Sequence, residues 1–438
     1  MRISKVFRIV AKSFYMLLPK VIREQYKESE LYFIDLARKV KNRYLGTSGG
    51  GLHVLQFVKS IDKLDIQYET LASIKTRKSR LGSVVLFDKT GNYTKLDEIE
   101  ENVLDIDLYF FKEITVLGNT DALINGHELY HQELLAMKEH HDLKRSDIFS
   151  YFDRKDKSIV SISMSKSQDL TNIDILYISL LKEHSQNYYH WTTEIIPRAL
   201  FSIKELSKKE NSQIFENKSI VFLIDENIPK QCLEILKVIV PFKYNLTTIK
   251  KGKLYTCNNL VYCSPFWQSL DNTSGNLEQE EFFVDTYGLK LFHEEIFNCL
   301  ALPKEEPFRK IYLRRKSTQM RSIVNTKQVE DFFINHGFEI VETEKLIFTE
   351  QVKLFYESKV VVGASGATFT NILFMQPNTK AIIFYPSHPS INHGIFQPLA
   401  DVSGVKLIHY KTIPSDEKSI HSNFMVDLSK IQIILKGC

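Results

Sequence analysis

The chain is predicted to be an α/β protein whose carboxyl-terminal part forms a parallel, doubly wound sheet. Three observations carry this. From residue 310 onward short apolar runs alternate with amphipathic stretches: KIYL (310–313), TKQVEDFFINH (326–336), FEIVE (338–342), TEQVKLFYES (349–358), KVVVG (359–363) and AIIFYP (381–386). Gly337 follows the stretch 326–336, where a glycine most readily ends a helix. A second alternation precedes it, with SIVFLI (219–224), PKQCLEILKVI (229–239) beginning at a proline, and NLVYCSPF (259–266). Strand–helix units of this size imply parallel strands joined by right-handed crossovers.

In chain order, residues 1–80 are charged, helical in character and end in the basic run SIKTRKSR (73–80); they form an amino-terminal extension. From 82 to 181 the apolar runs are short and strand-like, separated by turns such as KTGN, GNTD and INGH. A helix is expected over 185–206, with a kink or a fresh start at Pro197. The polar, turn-rich SLDNTSGNLEQE (269–280) marks a loop or linker. At 438 residues the chain is too long for one ordinary core, and the division expected is 1–80, 81–280 and 281–438.

A hydrophobic fraction of 43% and a charged fraction of 25% are those of a globular protein. With 57 basic against 53 acidic residues the net charge is only +4, which gives no ground for a nucleic-acid partner. The five cysteines form no CxxC pair and are odd in number, so a reducing cytosol is expected. No run approaches the ~20 apolar residues of a membrane span. Lys5, Arg8 and Lys12 nevertheless recur at helical spacing among Val6, Phe7, Ile9, Val10, Phe14 and Leu17, which suits either a membrane-surface helix or one packed on its own domain.

The stretch VVGASGATFTN (361–371) ends a β-branched run at Gly363 and Gly366 and opens a helix abruptly. A turn of this kind is either a packing device or an anion site, where the backbone approaches a phosphate and the helix start offers unmatched N–H groups. It has neither dinucleotide nor triphosphate glycine spacing. On the same sheet edge IYLRRKSTQMRSIVN (311–325) supplies Arg314, Arg315, Lys316 and Arg321, enough to neutralise a diphosphate without a metal. In HWTTE (190–194), His190 and Glu194 lie four apart on one helical face, both able to serve as a base. Asp105 and Asp107 in DID resemble a metal-holding pair, but Asp-x-Asp is common by chance and no zinc-ligand spacing occurs, so no metal is expected.

Taken together, NYYHWTTEIIPRAL, IYLRRKSTQMRSIVN and FTEQVKLFYESKVVVGASGATFTNILFM, in this order, resemble glycosyltransferase family 61, in its bacterial capsule and lipopolysaccharide branch. The resemblance covers about 185–206 and 310–386 and the rhythm of ITVLGNTDALINGHELY (114–130). It implies a GT-B-like fold, two Rossmann-like domains facing a cleft. Arg315, Arg321 and Asn325 match the family's strand–loop motif, Glu350 and Gln351 its EQ helix start, and Gly366, Ala367 and Asn371 its GA…N turn. Many members have His where this chain has Ser365, which can donate to a phosphate but puts a catalytic role there in doubt.

The expected activity is an inverting, metal-independent transfer of a sugar from a nucleotide-sugar to a glycan or lipid-linked acceptor, in bacterial surface-polysaccharide synthesis. The carboxyl-terminal domain would hold the donor, with Glu194 as base and His190 as its partner. The expected location is the cytosol, with contact at the inner face of the cytoplasmic membrane. A sugar-phosphate transferase and a catalytically silent glycan-binding or assembly protein are the alternatives.

Overall fold

The structure is a computed structural model describing residues 51–436 apart from 76, 133–148, 153–158, 167–168, 215, 270–281, 316–320 and 390. The basic segment 1–20, Lys316 and nearly all of the expected linker 269–280 lie outside the described residues.

Two large sheets organise the chain. Among the described residues the first holds eleven strands and is mixed. Its parallel part runs Lys253–Cys263, Ile175–Ser179, Ser219–Asp225, Tyr244–Ile249, with the helices Ile196–Leu206 and Lys230–Ile239 as crossovers. The long strand Ile106–Leu117 continues it antiparallel to Lys253–Cys263. Ser219–Asp225 is buried along almost its whole length, as a strand covered on both faces must be.

The second sheet has eight strands among the described residues, and five of them, in the order Glu339–Val341, Arg309–Leu313, Ser358–Ala364, Lys380–Pro386, Lys406–Pro414, are mutually parallel. Numbered along the chain this is 2-1-3-4-5, a doubly wound order. Two short strands from far upstream, Val85–Phe87 and Tyr93–Lys95, extend its far edge, a contribution that the linear division of the sequence did not include.

The helical character expected of residues 1–80 does not extend over 51–80. There the chain forms strands Gly51–Phe57, Tyr68–Ile74 and Arg77–Leu81. Leu55 and Phe57 are buried on either side of exposed Gln56, a period of two that helical spacing would not produce. The basic run is spent on carboxylates across these strands: Lys78 on Glu100 at 2.9 Å, and Arg80 on Glu98.

The largest apolar cluster lies between the two sheets. Trp191, Leu200 and Phe222 from the first part of the chain pack in one cluster with Phe292, Phe348, Phe369, Phe374 and Leu399 from the second. The helical layer therefore joins the sheets into one packed body, and loops from both meet at its edge. Among the described residues no helix is long and apolar enough to cross a membrane.

Candidate active site

Arg309–Leu313 and Ser358–Ala364 are neighbours, while the intervening Glu339–Val341 pairs on the outer side of the first. The connections after these two strands therefore diverge, and in doubly wound sheets ligands bind in the crevice so formed. Here the crevice is a cavity of about 330 Å³ lined by Tyr312, Arg314, Arg315, Arg321, Ser322 and Ala364 among others.

Its three arginines are differently engaged. Arg314 forks onto Glu330 at 2.7 and 2.8 Å and reaches Glu342 at 3.3 Å, so its charge is already matched. Arg315 donates to the Ser365 carbonyl at 2.8 Å. Burial lowers the pKa of both Arg315 and Arg321, and for Arg315 the neighbouring Arg321 adds to it. No carboxylate pairs with either among the described residues, and the buried Nε of Arg321 has no hydrogen-bond partner. Arg321 itself is held at φ +55°, a left-handed conformation rare for a residue with a side chain.

The two glycines of 361–371 answer to different needs. A Cβ on Gly363 would lie 2.9 Å from Leu313 Cβ and 3.0 Å from its carbonyl oxygen, so close approach of two strands requires this glycine. Gly366 is extended, at φ 178°, and a Cβ there would meet nothing nearer than 3.9 Å. Neither packing nor backbone strain explains it. The open space in front of it is bordered by Arg315 Nη1. The turn that follows, Ala367–Phe374, is a 3₁₀-helix with Phe369, Ile372, Leu373 and Phe374 all fully buried.

The expected helix over 185–206 is interrupted by a π-turn. Trp191–Ile195 has the Ile196 N–H bonded to the Trp191 carbonyl, between α-helical Tyr188–His190 and Ile196–Leu206. Pro197 has no N–H to give, and the widened turn accommodates it; such turns occur often at functional sites. The π-turn buries Glu194 to 1% exposure while its partner His190 keeps a quarter of its side chain exposed.

Glu194 Oε1 lies 2.5 Å from His190 Nδ1 and Oε2 lies 3.1 Å from Lys182 Nζ. Burial alone would raise the Glu194 pKa, but the Lys182 and His190 charges outweigh it and hold the carboxyl below its usual value. A carboxylate only accepts, so Nδ1 of the neutral ring carries the proton and Nε2 keeps a free lone pair. Behind this dyad the Lys182 N–H bonds Asp225 at 3.0 Å, and burial pushes the Asp225 carboxyl up to about 6. Arg198, fully buried, donates to the carbonyls of Cys263 and Leu181.

The dyad and the arginines are brought into one neighbourhood by two tyrosines. Tyr188 donates to Asn371 Oδ1 at 2.6 Å, tying the helix to the turn after Gly366. Tyr189 stacks edge-on to His190 at 5.6 Å and lies within electrostatic reach of both Glu194 and Tyr385. Tyr385 in turn neighbours Ser365 and Arg321.

Residues 188–382 match the family model described as Glycosyltransferase 61. The match supports a glycosyltransferase of family 61, an activity that implies a donor and an acceptor. It opens at the Tyr188 helix and closes in the strand leading to Tyr385, so it spans both halves of the site. No curated protein matches the chain.

Within the matched segment, five residues expected at the donor phosphates use their polar groups inside the protein. Asn325 exchanges two hydrogen bonds with the Val426 backbone, at 2.9 and 3.0 Å. Glu350 accepts from the Ile347 N–H and so caps its own helix. Gln351 joins the Leu346 carbonyl to Asn371, both Gln351 and Asn371 being buried. Ser365 is 5% exposed, its carbonyl taken by Arg315. Of the residues expected to bind donor, Arg315, Arg321, Gly366 and Ala367 border the crevice or its turn.

Lys182, Tyr188, Tyr189 and Tyr385 were not singled out from the sequence. Lys182 and Tyr385 each end an apolar run, Tyr188 and Tyr189 follow a polar one, and their convergence comes from the fold. Asp105 and Asp107 both pair with Lys75, at 3.1 and 3.2 Å. Among the described residues no group of three or more His, Cys, Asp or Glu is placed to hold a metal ion.

Proposed function

We propose that the protein is an inverting glycosyltransferase of GT-B type that moves a sugar from a nucleotide-sugar to a glycan or lipid-linked acceptor, without a metal. The observation that carries this is the pairing of Arg315 and Arg321, unmatched by carboxylate, with a glycine turn beside the His190–Glu194 dyad. The donor diphosphate would lie in the crevice. Arg315, Arg321 and the N–H groups at the start of Ala367–Phe374 would stabilise the charge that grows on it as the sugar leaves.

Glu194 is too buried, and too fully occupied by His190 and Lys182, to meet an acceptor directly. The expected roles are therefore reversed: His190 Nε2 takes the hydroxyl proton while the acceptor oxygen attacks the anomeric carbon from the face opposite the diphosphate. Glu194 holds the ring in that tautomer and stabilises the imidazolium, and Lys182 keeps Glu194 ionised. Asn371, Gln351 and Asn325 position the two loops rather than contact phosphate.

A role in bacterial surface-polysaccharide synthesis on the cytosolic side of the membrane follows from the resemblance and belongs to the same proposal. The test is product analysis with a panel of nucleotide-sugars and saccharide acceptors in EDTA. Transfer of the sugar with release of the nucleoside diphosphate supports the proposal. Phosphate retained in the product, or activity restored only by a divalent ion, overturns it.

A further inference from the structure

A second cavity, of about 530 Å³, opens in the amino-terminal sheet and takes no part in the site above. Its volume is that of a small-molecule site. Tyr68 and Tyr109 meet in its wall edge to face, with ring centroids 5.5 Å apart, and Tyr130 also lines it. Asp62, Asp105, Asp107, Lys59 and Lys75 line it as well.

The polar groups are held in place by one another. Lys75 bridges Asp105 and Asp107, Ser73 donates to Asp107, and Tyr68 donates to Asp62. Gln132 is anchored by donating to the Asp105 carbonyl at 3.2 Å, while its oxygen accepts from Tyr130. Each carboxylate has two oxygens, so Asp62 and Asp107 can accept from further donors, and Lys59 and Lys75 offset much of the negative charge. Aromatic faces beside fixed, nearly neutralised carboxylates suit a ligand with C–H faces and many hydroxyl donors. A nucleotide or another anion would meet three carboxylates.

We propose that this cavity binds a saccharide, at a site separate from the reaction centre. Tyr109 would pack against the pyranose face, and Asp62 and Asp107 would accept from its hydroxyls.

The experiment is saturation-transfer NMR on the full chain with methyl glycosides of common hexoses, N-acetylhexosamines and pentoses at millimolar concentration. The variants are Tyr109→Ala and Thr70→Trp; Thr70 is exposed and faces Tyr109 across the strand pair, so a tryptophan there fills the cavity without emptying the core. At least one glycoside is expected to bind the wild type, and both variants are expected to weaken it tenfold or more with nucleoside-diphosphate binding unchanged, Thr70→Trp also keeping the wild-type melting temperature. Binding of no glycoside, or equal binding by the folded Thr70→Trp protein, overturns the proposal. Glycoside binding that Thr70→Trp abolishes in a protein without transferase turnover upholds the saccharide site and overturns the glycosyltransferase reading instead.

Discussion

His190 Nδ1 and Glu194 Oε1 are 2.5 Å apart, with the carboxylate 1% exposed and the imidazole a quarter exposed. On the proposed reading the exposed ring would meet substrate and the buried acid would hold it. His190→Ala is expected to lower turnover by about 10²–10⁴, the usual worth of a general base, with nucleotide affinity near normal. Glu194→Gln should slow turnover as well, but its amide leaves His190 in place, so the loss is expected to be smaller. Steady-state kinetics of the two variants decide between them; a larger loss in Glu194→Gln would return the base to the carboxylate.

Lys182 sets the charge of Glu194, and its removal has a definite pH signature. The Glu194 carboxyl titrates below its ordinary 4.5 in the folded protein, so its stabilising contribution is present above that value and is lost as pH falls. In Lys182→Met burial is opposed by His190 alone, the folded pKa rises, and the folded state favours the protonated acid. Melting temperatures followed from pH 8 to pH 4 should show a large deficit in the variant at neutral pH that narrows on acidification. A deficit independent of pH would mean that Lys182 acts by packing only.

Gly363 and Gly366 are expected to separate stability from binding. Gly363→Ala puts a methyl 2.9 Å from Leu313 Cβ, an overpacking that costs about 1–3 kcal/mol and lowers the melting temperature. Gly366→Ala meets no such contact, so stability should change by less than about 0.5 kcal/mol while affinity for a nucleoside diphosphate falls. Calorimetry in both senses, scanning and titration, checks the pair. Full affinity in Gly366→Ala would reduce the turn to a packing device.

Asn371 bonds both Tyr188 and Gln351 from a fully buried position. Asn371→Ala strands two buried groups and should cost about 1–3 kcal/mol of stability. Because Tyr188 begins the helix bearing His190, turnover is expected to fall more than donor affinity does, which chemical denaturation and kinetics together would reveal.

Much of this was legible in the sequence. The alternation from KIYL to AIIFYP is local and strongly periodic, and it yielded the second sheet, the basic loop and the glycine turn at its edge. The i, i+4 spacing of His190 and Glu194 gave the dyad. What failed was non-local or graded. Residues 51–80 carry enough charge to read as helix, yet pair as strands once partners exist. Val85–Lys95 crosses to the other sheet, which no local period signals. Asn325 and Gln351 belong to the expected motifs, but only their hydrogen bonds show that they brace loops. Burial, which the sequence does not print, ordered Glu194 behind His190.

The most direct test is titration calorimetry of UDP, GDP, CDP and dTDP against the wild type and against Arg315→Ala, Arg321→Ala and the double variant. One nucleotide is expected to bind the wild type in the presence of EDTA. Each arginine should contribute about 2 kcal/mol, roughly thirtyfold in affinity, through charge-assisted bonds to the diphosphate. Binding of none of the four by the wild type, or undiminished binding by a folded double variant, would contradict the assignment of the crevice as the donor site.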